Sequence, residues 1–150
     1  MVVDSGAFVS GMPADHYPEY KTDEIDEGQA EGGKSASGET LPIQGVKHLR
    51  VSLTETVKDL TMNVKVINVL SKALGAVSEM VANNCRVVFD SESKGGSYIW
   101  NRNRNEYYKV FPHNGIYTIP VWVRIPANFD DDEKNSGEDP SSFQGQSLRT

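Results

Sequence analysis

The stretch "KHLRVSL", residues 47–53, sets Leu49, Val51 and Leu53 on one side of an extended chain and His48, Arg50 and Ser52 on the other. Successive side chains of a strand point to opposite faces, so this period of two marks a strand with one buried face. Just downstream, in "LTMNVKVINVL" (60–70), Leu60, Met62, Val64 and Val66 repeat the period before a continuous apolar run begins. Two neighbouring strands of this kind set the class as mostly β. Further on come "CRVVFD" (85–90), "SYIW" (97–100), "EYYKVF" (106–111) and "GIYTIPVWVRI" (115–125). They are separated by Gly95-Gly96, "NRNRN" and "HNG", which read as hairpin turns. Pro120 cannot donate to a ladder and belongs at an edge or a bulge.

Between these strands the period changes. Leu74, Val77, Met80 and Val81 fall at helical spacing, with Ser71 available as a cap and Asn83-Asn84 as a stop. One helix of about three turns is predicted there. Two polar segments interrupt the pattern. His16 to Gly38 is acidic and nearly without apolar period, which reads as a long mobile loop. Residues 127–150 carry six acidic side chains against Lys134 and Arg149, and they lack the apolar content to order themselves. The expected organisation is therefore a domain over 1–126 and an acidic disordered tail or linker over 127–150.

Composition narrows the function classes. A chain of 150 residues holds one domain with a real core. No run approaches the roughly 18 apolar residues of a membrane helix, and no secretory leader opens the sequence. Cys85 is the sole cysteine, so an internal disulfide is impossible and a reducing, intracellular setting is expected rather than secretion. Within "CRVVFD" it reads as a small half-buried thiol. His16, His48 and His113 show no metal-ligand spacing, and no metal or cofactor is expected. Gly28, Gly32 and Gly33 lack the strand-before, helix-after context of a phosphate loop. "SYIWNRNRNEYYKVF" (97–111) mixes Tyr98, Trp100, Tyr107, Tyr108 and Phe111 with Arg102, Arg104 and Lys109. Stacking aromatics beside cations suit nucleic acid. With a net charge of −6 and no basic face for the whole domain, the preferred reading is a hairpin with aromatic core residues and a basic turn.

One short motif carries chemistry. In "VVDSGA" (2–7), Val2 and Val3 read as a buried strand that ends in Asp4-Ser5-Gly6, delivering a carboxylate at a tight turn. Ser5 has no histidine base near it in sequence, so a hydrolase triad is unsupported.

Together with "SASGETLPIQG" (35–45), "NVLSKALGAVSEMVANNCRVVFD" (68–90), "SYIW" and "NGIYTI" (114–119), this motif resembles the retropepsin family, the aspartic proteases of retroviruses and retrotransposons. The likeness is nearest to copia-type polyprotein proteases and spans roughly residues 2–123. It implies a small closed β-barrel with one short helix, and an endopeptidase that processes a retroelement polyprotein. Asp4 would be the catalytic residue, supported by Ser5, Gly6 and Ala7. Ser5 would orient the outer carboxylate oxygen, and Ala36, Ser37 and Gly38 would form the tip of a substrate-covering flap. Leu74-Gly75-Ala76 is the candidate for the family's hydrophobic-hydrophobic-Gly element. Only three residues precede Asp4, where the family has at least one further strand. Carboxylate proteolysis needs two carboxyl groups sharing a proton, and the chain holds one Asp-Ser-Gly. The resemblance thus implies a homodimer acting on a peptide or polyprotein, with neither membrane nor nucleic acid as partner. A catalytically inactive β-barrel serving as a binding module is the competing reading.

Overall fold

The computed structural model describes residues 1–26, 31–34, 38–54, 59–126 and 145–148. The alternating stretches form the long strands: β5 (Gly45–Ser52) and β6 (Leu60–Val66) pair antiparallel from Gly45↔Val66 to Val51↔Leu60. Leu49 and Val51 are buried as the alternation requires, and so is Lys47, which shares their parity. Burial of a lysine is costly unless its donors are used. Its Nζ donates to the carbonyls of Ala14, His16 and Tyr17 at 3.0–3.1 Å, which anchors that loop to β5.

The remaining strands are β1 (Val2–Asp4), β2 (Gly11–Met12), β3 (Glu31–Lys34), β4 (Thr40–Pro42), β7 (Leu74–Ala76), β8 (Cys85–Val88), β9 (Ser97–Asn101), β10 (Glu106–His113), β11 (Ile116–Thr118), β12 (Val121–Arg124) and β13 (Gly145–Leu148). Eleven join one mixed sheet in the order β13-β12-β5-β6-β2-β7-β1-β11-β10-β9-β8, while β3 and β4 form a separate antiparallel ribbon. The expected closed barrel is not formed. Closure requires the end strands to pair, and among the described residues β13 bonds only to β12 and β8 only to β9. The sheet is open and mostly antiparallel, with β1–β7 and β2–β6 parallel. The core includes Met12, Leu49, Val64, Ile99, Val110 and Ile119.

Three local readings need correction. The helix α1 covers only Val77–Ala82, because Leu74–Ala76 extends to pair with β1 instead. Backbone bonds such as Val2 N to Ala73 O, 3.0 Å, outcompete helical spacing, and Ser71 does not cap. The predicted stop holds: the Asn83 side chain donates to Glu79 O, and Asn84 adopts φ +64°. The segment 16–38 is anchored in part, by buried Tyr20, by the Asp23–Val46 bridge and by β3. In the tail, 145–148 pairs along β12, whose outer edge would otherwise leave backbone groups unbonded. The rest of the expected tail lies outside the described residues. Pro120 falls in the break between β11 and β12, and Asn114-Gly115 turns the β10–β11 hairpin with both φ values positive. No helix among the described residues is long and apolar enough to cross a membrane.

Candidate active site

β1 lies near the middle of the sheet, with parallel β7 on one side and antiparallel β11 on the other. Its register against β7 is Val2↔Leu74, Val3↔Gly75 and Asp4↔Ala76, so Asp4 ends its strand beside the residue that opens α1. Gly75 packs closely against two methionine tips: a Cβ there would come within 2.7 Å of Met1 Cε and 2.8 Å of Met80 Cε, and these flexible ends would have to move aside. The structure thus brings Asp4 and Leu74-Gly75-Ala76 together across a gap of some seventy residues.

Beyond Asp4 the chain turns at once. The Gly6 amide donates to Asp4 Oδ1 at 2.8 Å, and the Ala7 amide reaches Asp4 O at 3.4 Å. This is the local aspartate turn that the Asp-Ser-Gly sequence favours. Asp4 and Ala7 are half-buried, while Ser5 and Gly6 are exposed. Gly6 thus gives Asp4 a backbone donor, whereas Ser5 makes no hydrogen bond to Asp4 among the described residues.

Two residues that the sequence did not single out hold this turn in place. Ser10 Oγ accepts from the buried Ala76 amide at 2.9 Å, and the Ser10 amide donates to Glu79 Oε1 at 3.2 Å. Lys65 N closes the set by donating to Ser10 O at 3.0 Å. Ser10 therefore ties the Asp4 loop to β6, β7 and α1 at once. A serine in "AFVSGM" offers no spacing signal for that role, since its partners arrive only through the fold.

The flap residues divide. Ala36 and Ser37 lie outside the described residues. Gly38 is exposed at φ +86°, between β3 and β4, whose ribbon pairs Glu31↔Pro42 and Lys34↔Thr40. The β3–β4 ribbon is separate from the main sheet.

A cleft of about 570 Å³ opens elsewhere, between β6, α1 and the β9–β10 hairpin, with Met1, Ser10, Met62, Glu79, Cys85 and Tyr108 in its wall. Asp4 is absent from that lining, which shares Ser10, Lys65 and Glu79 with the supports of the turn. Burial pushes the Cys85 thiol up, which disfavours the thiolate, and its Sγ–H points to Asn83 O at 3.8 Å. No cluster of three or more His, Cys, Asp or Glu side chains suited to a metal occurs among the described residues.

The aromatic stretch departs from its expected core role. Only Tyr108 is buried; Tyr98, Trp100, Tyr107 and Phe111 alternate onto the opposite, solvent-facing side of β9 and β10.

These features define a mostly β protein with a mixed sheet and an aspartate turn near its centre. No protein-family model, curated protein or solved structure matches the chain.

Proposed function

We propose that the chain is one half of a retropepsin-like aspartic endopeptidase that cleaves a retroelement polyprotein as a homodimer. One observation carries this reading: the Asp4-Ser5-Gly6 turn ends a strand that runs parallel to Leu74-Gly75-Ala76, which leads directly into a short helix. The β3–β4 ribbon, which stands apart from the main sheet and borders the motif stretch 35–45, adds support.

The chemistry follows from two copies of Asp4 meeting on a two-fold axis. Like charges in contact cannot both ionise cheaply, so the pair holds one proton. The ionised carboxylate takes a proton from water as the water oxygen bonds to the scissile carbonyl carbon. The protonated Asp4 hydrogen-bonds to the carbonyl oxygen and stabilises the charge that develops there. Breakdown of the tetrahedral species breaks the C–N bond, and the amine leaves with a proton from the pair. The Gly6 amide keeps one carboxylate oxygen in position throughout.

The alternative, a β module that binds without cutting, is favoured by the open sheet and by a cleft that excludes Asp4. Asp4→Asn keeps shape but removes the shareable proton. Cleavage of an unstructured polypeptide should fall by about 10²–10⁴-fold while the melting temperature stays put. Wild-type specific activity should also rise with protein concentration and plateau as dimer saturates. Turnover by Asp4→Asn equal to wild type, or cleavage by a demonstrated monomer, rules out the two-chain site.

A further inference from the structure

We propose that the solvent-facing side of β8–β9–β10 is a binding surface for single-stranded nucleic acid. The side chains stand in cross-strand rows. Arg86, Trp100 and Tyr107 are in register across the three strands, followed by Val88, Tyr98 and Lys109. Trp100 and Tyr107 are near-parallel at 15° with centroids 5.9 Å apart, and Tyr98 meets Tyr107 at 5.5 Å. Tyr107 is 61% exposed, and Phe111, further along the same face of β10, is 45% exposed.

A sheet face turned to water ordinarily carries polar side chains. Exposed Tyr107 and Phe111 beside half-buried Tyr98 and Trp100 depart from that rule, and the patch points to a ligand that covers it. The cations identify its chemistry. The Arg102 guanidinium sits 4.7 Å from the Trp100 ring centre, and Lys109 lies 5.6 Å from that of Phe111. Arg86 is exposed beside Trp100, and neither Arg86 nor Arg102 is ion-paired among the described residues. Lys109 has one exposed acidic neighbour, Glu92 at 3.4 Å. Residues 85–113 hold two more basic than acidic side chains, against −6 for the whole chain. Partly exposed rings bordered by guanidinium and ammonium groups suit a ligand with flat aromatic faces and regularly spaced negative charge. Extended single strands present both, since bases stack on the rings while phosphates meet the cations. A duplex keeps its bases stacked internally and could use only the cations. This surface lies on the opposite side of β9 and β10 from Tyr108 and the cleft, and the proposal does not rest on protease activity.

The test is fluorescence anisotropy of labelled 12-nucleotide oligo(dT) and oligo(rU), titrated with the full chain at 50 mM and 200 mM salt. Both oligonucleotides should bind at 50 mM salt. Three phosphate contacts would make binding roughly 20-fold weaker at the higher salt. The double variant Trp100→Ala/Tyr107→Ala should lose about tenfold or more in affinity, while Trp100→Phe/Tyr107→Phe retains most of it. Arg86→Gln/Arg102→Gln leaves the rings in place and should weaken binding and flatten its salt dependence. No binding by folded wild type at 50 mM salt overturns the proposal. So does affinity unchanged in the alanine or glutamine pair, or equal affinity for a duplex of the same length. Self-association that the alanine pair abolishes, without oligonucleotide binding, would reassign the face to a second copy of the chain.

Discussion

β5 and β6 exchange backbone bonds along seven registered pairs, whereas β1, β2 and β7 are only two or three residues long. The long ladder carries its own stability: alternating apolar residues bury one face, and each added pair extends a formed structure. The short central strands have no such reserve. They are held by contacts from elsewhere, including Ile119 N to Met1 O at 2.9 Å, Ala76 N to Ser10 Oγ, and Ser10 N to Glu79. The candidate catalytic turn sits on the short strands. The geometry of Asp4 is therefore an outcome of tertiary contacts, so substitutions in the two regions should separate stability from activity.

The largest stability effect is expected in the ladder half. Asp59 pairs with Arg124 at 2.7 Å and Arg50 at 3.3 Å, with Asp59 and Arg124 both largely buried. Asp59→Ala removes the largely buried carboxylate that pairs with Arg124 and Arg50 and should cost up to about 3 kcal/mol in a urea titration. Cleavage per folded molecule should stay near wild type, since Asp59 is remote in the sheet order from β1. A matching loss of specific activity would show that the two regions are not separable.

Ser10→Ala should show the reverse balance. It leaves the buried Ala76 amide without its acceptor, at a cost of about 1–3 kcal/mol. Cleavage should fall further than the folded fraction does, because the tie between the Asp4 loop and β7 is gone. Ser10→Thr, which keeps the hydroxyl, should recover activity in part. Activity that tracks only the folded fraction would leave Ser10 a packing residue.

A smaller effect is expected from pH. Burial lowers the Met1 α-amino group from 8.0 to about 6, and it donates to Ile119 O at 3.0 Å. Between pH 6 and 8 the unfolded chain binds a proton that the folded chain does not, so stability rises with pH across that window. The gain should be about 1–2 kcal/mol between pH 5.5 and 8.5, read from urea midpoints. Acetylating the α-amino group should remove that dependence. A dependence that survives acetylation would place its origin in other groups.

Legibility in the sequence followed the same division. The period of two in 47–51 and 60–66 read correctly because burial of one face is a local property of alternating residues, while Ser52, assigned to the outer face, is buried where β12 pairs with it. The Asn83-Asn84 stop and the Asn114-Gly115 turn were legible for a similar reason, since left-handed backbone needs such residues. Leu74–Ala76 was misread as helix because its partner strand lies some seventy residues away. Lys47 was missed because a buried lysine depends on three carbonyls from a loop that its own strand cannot announce. The aromatic hairpin was read as core because composition gives no information on which face a partner sheet will cover.

The amino-acid sequence by itself determined the mostly β class, the positions of the long strands and main turns, and the Asp4-Ser5-Gly6 motif with its local amide-to-carboxylate turn. Each follows from forces that act within a few residues. Tertiary structure alone decided that the sheet stays open, that Leu74–Ala76 lies parallel to β1, and that Ser10 and Glu79 support the turn. It also decided that Trp100 and Tyr107 face water. Those outcomes depend on which distant segments satisfy one another's backbone groups and apolar faces, a competition settled only when the whole chain folds.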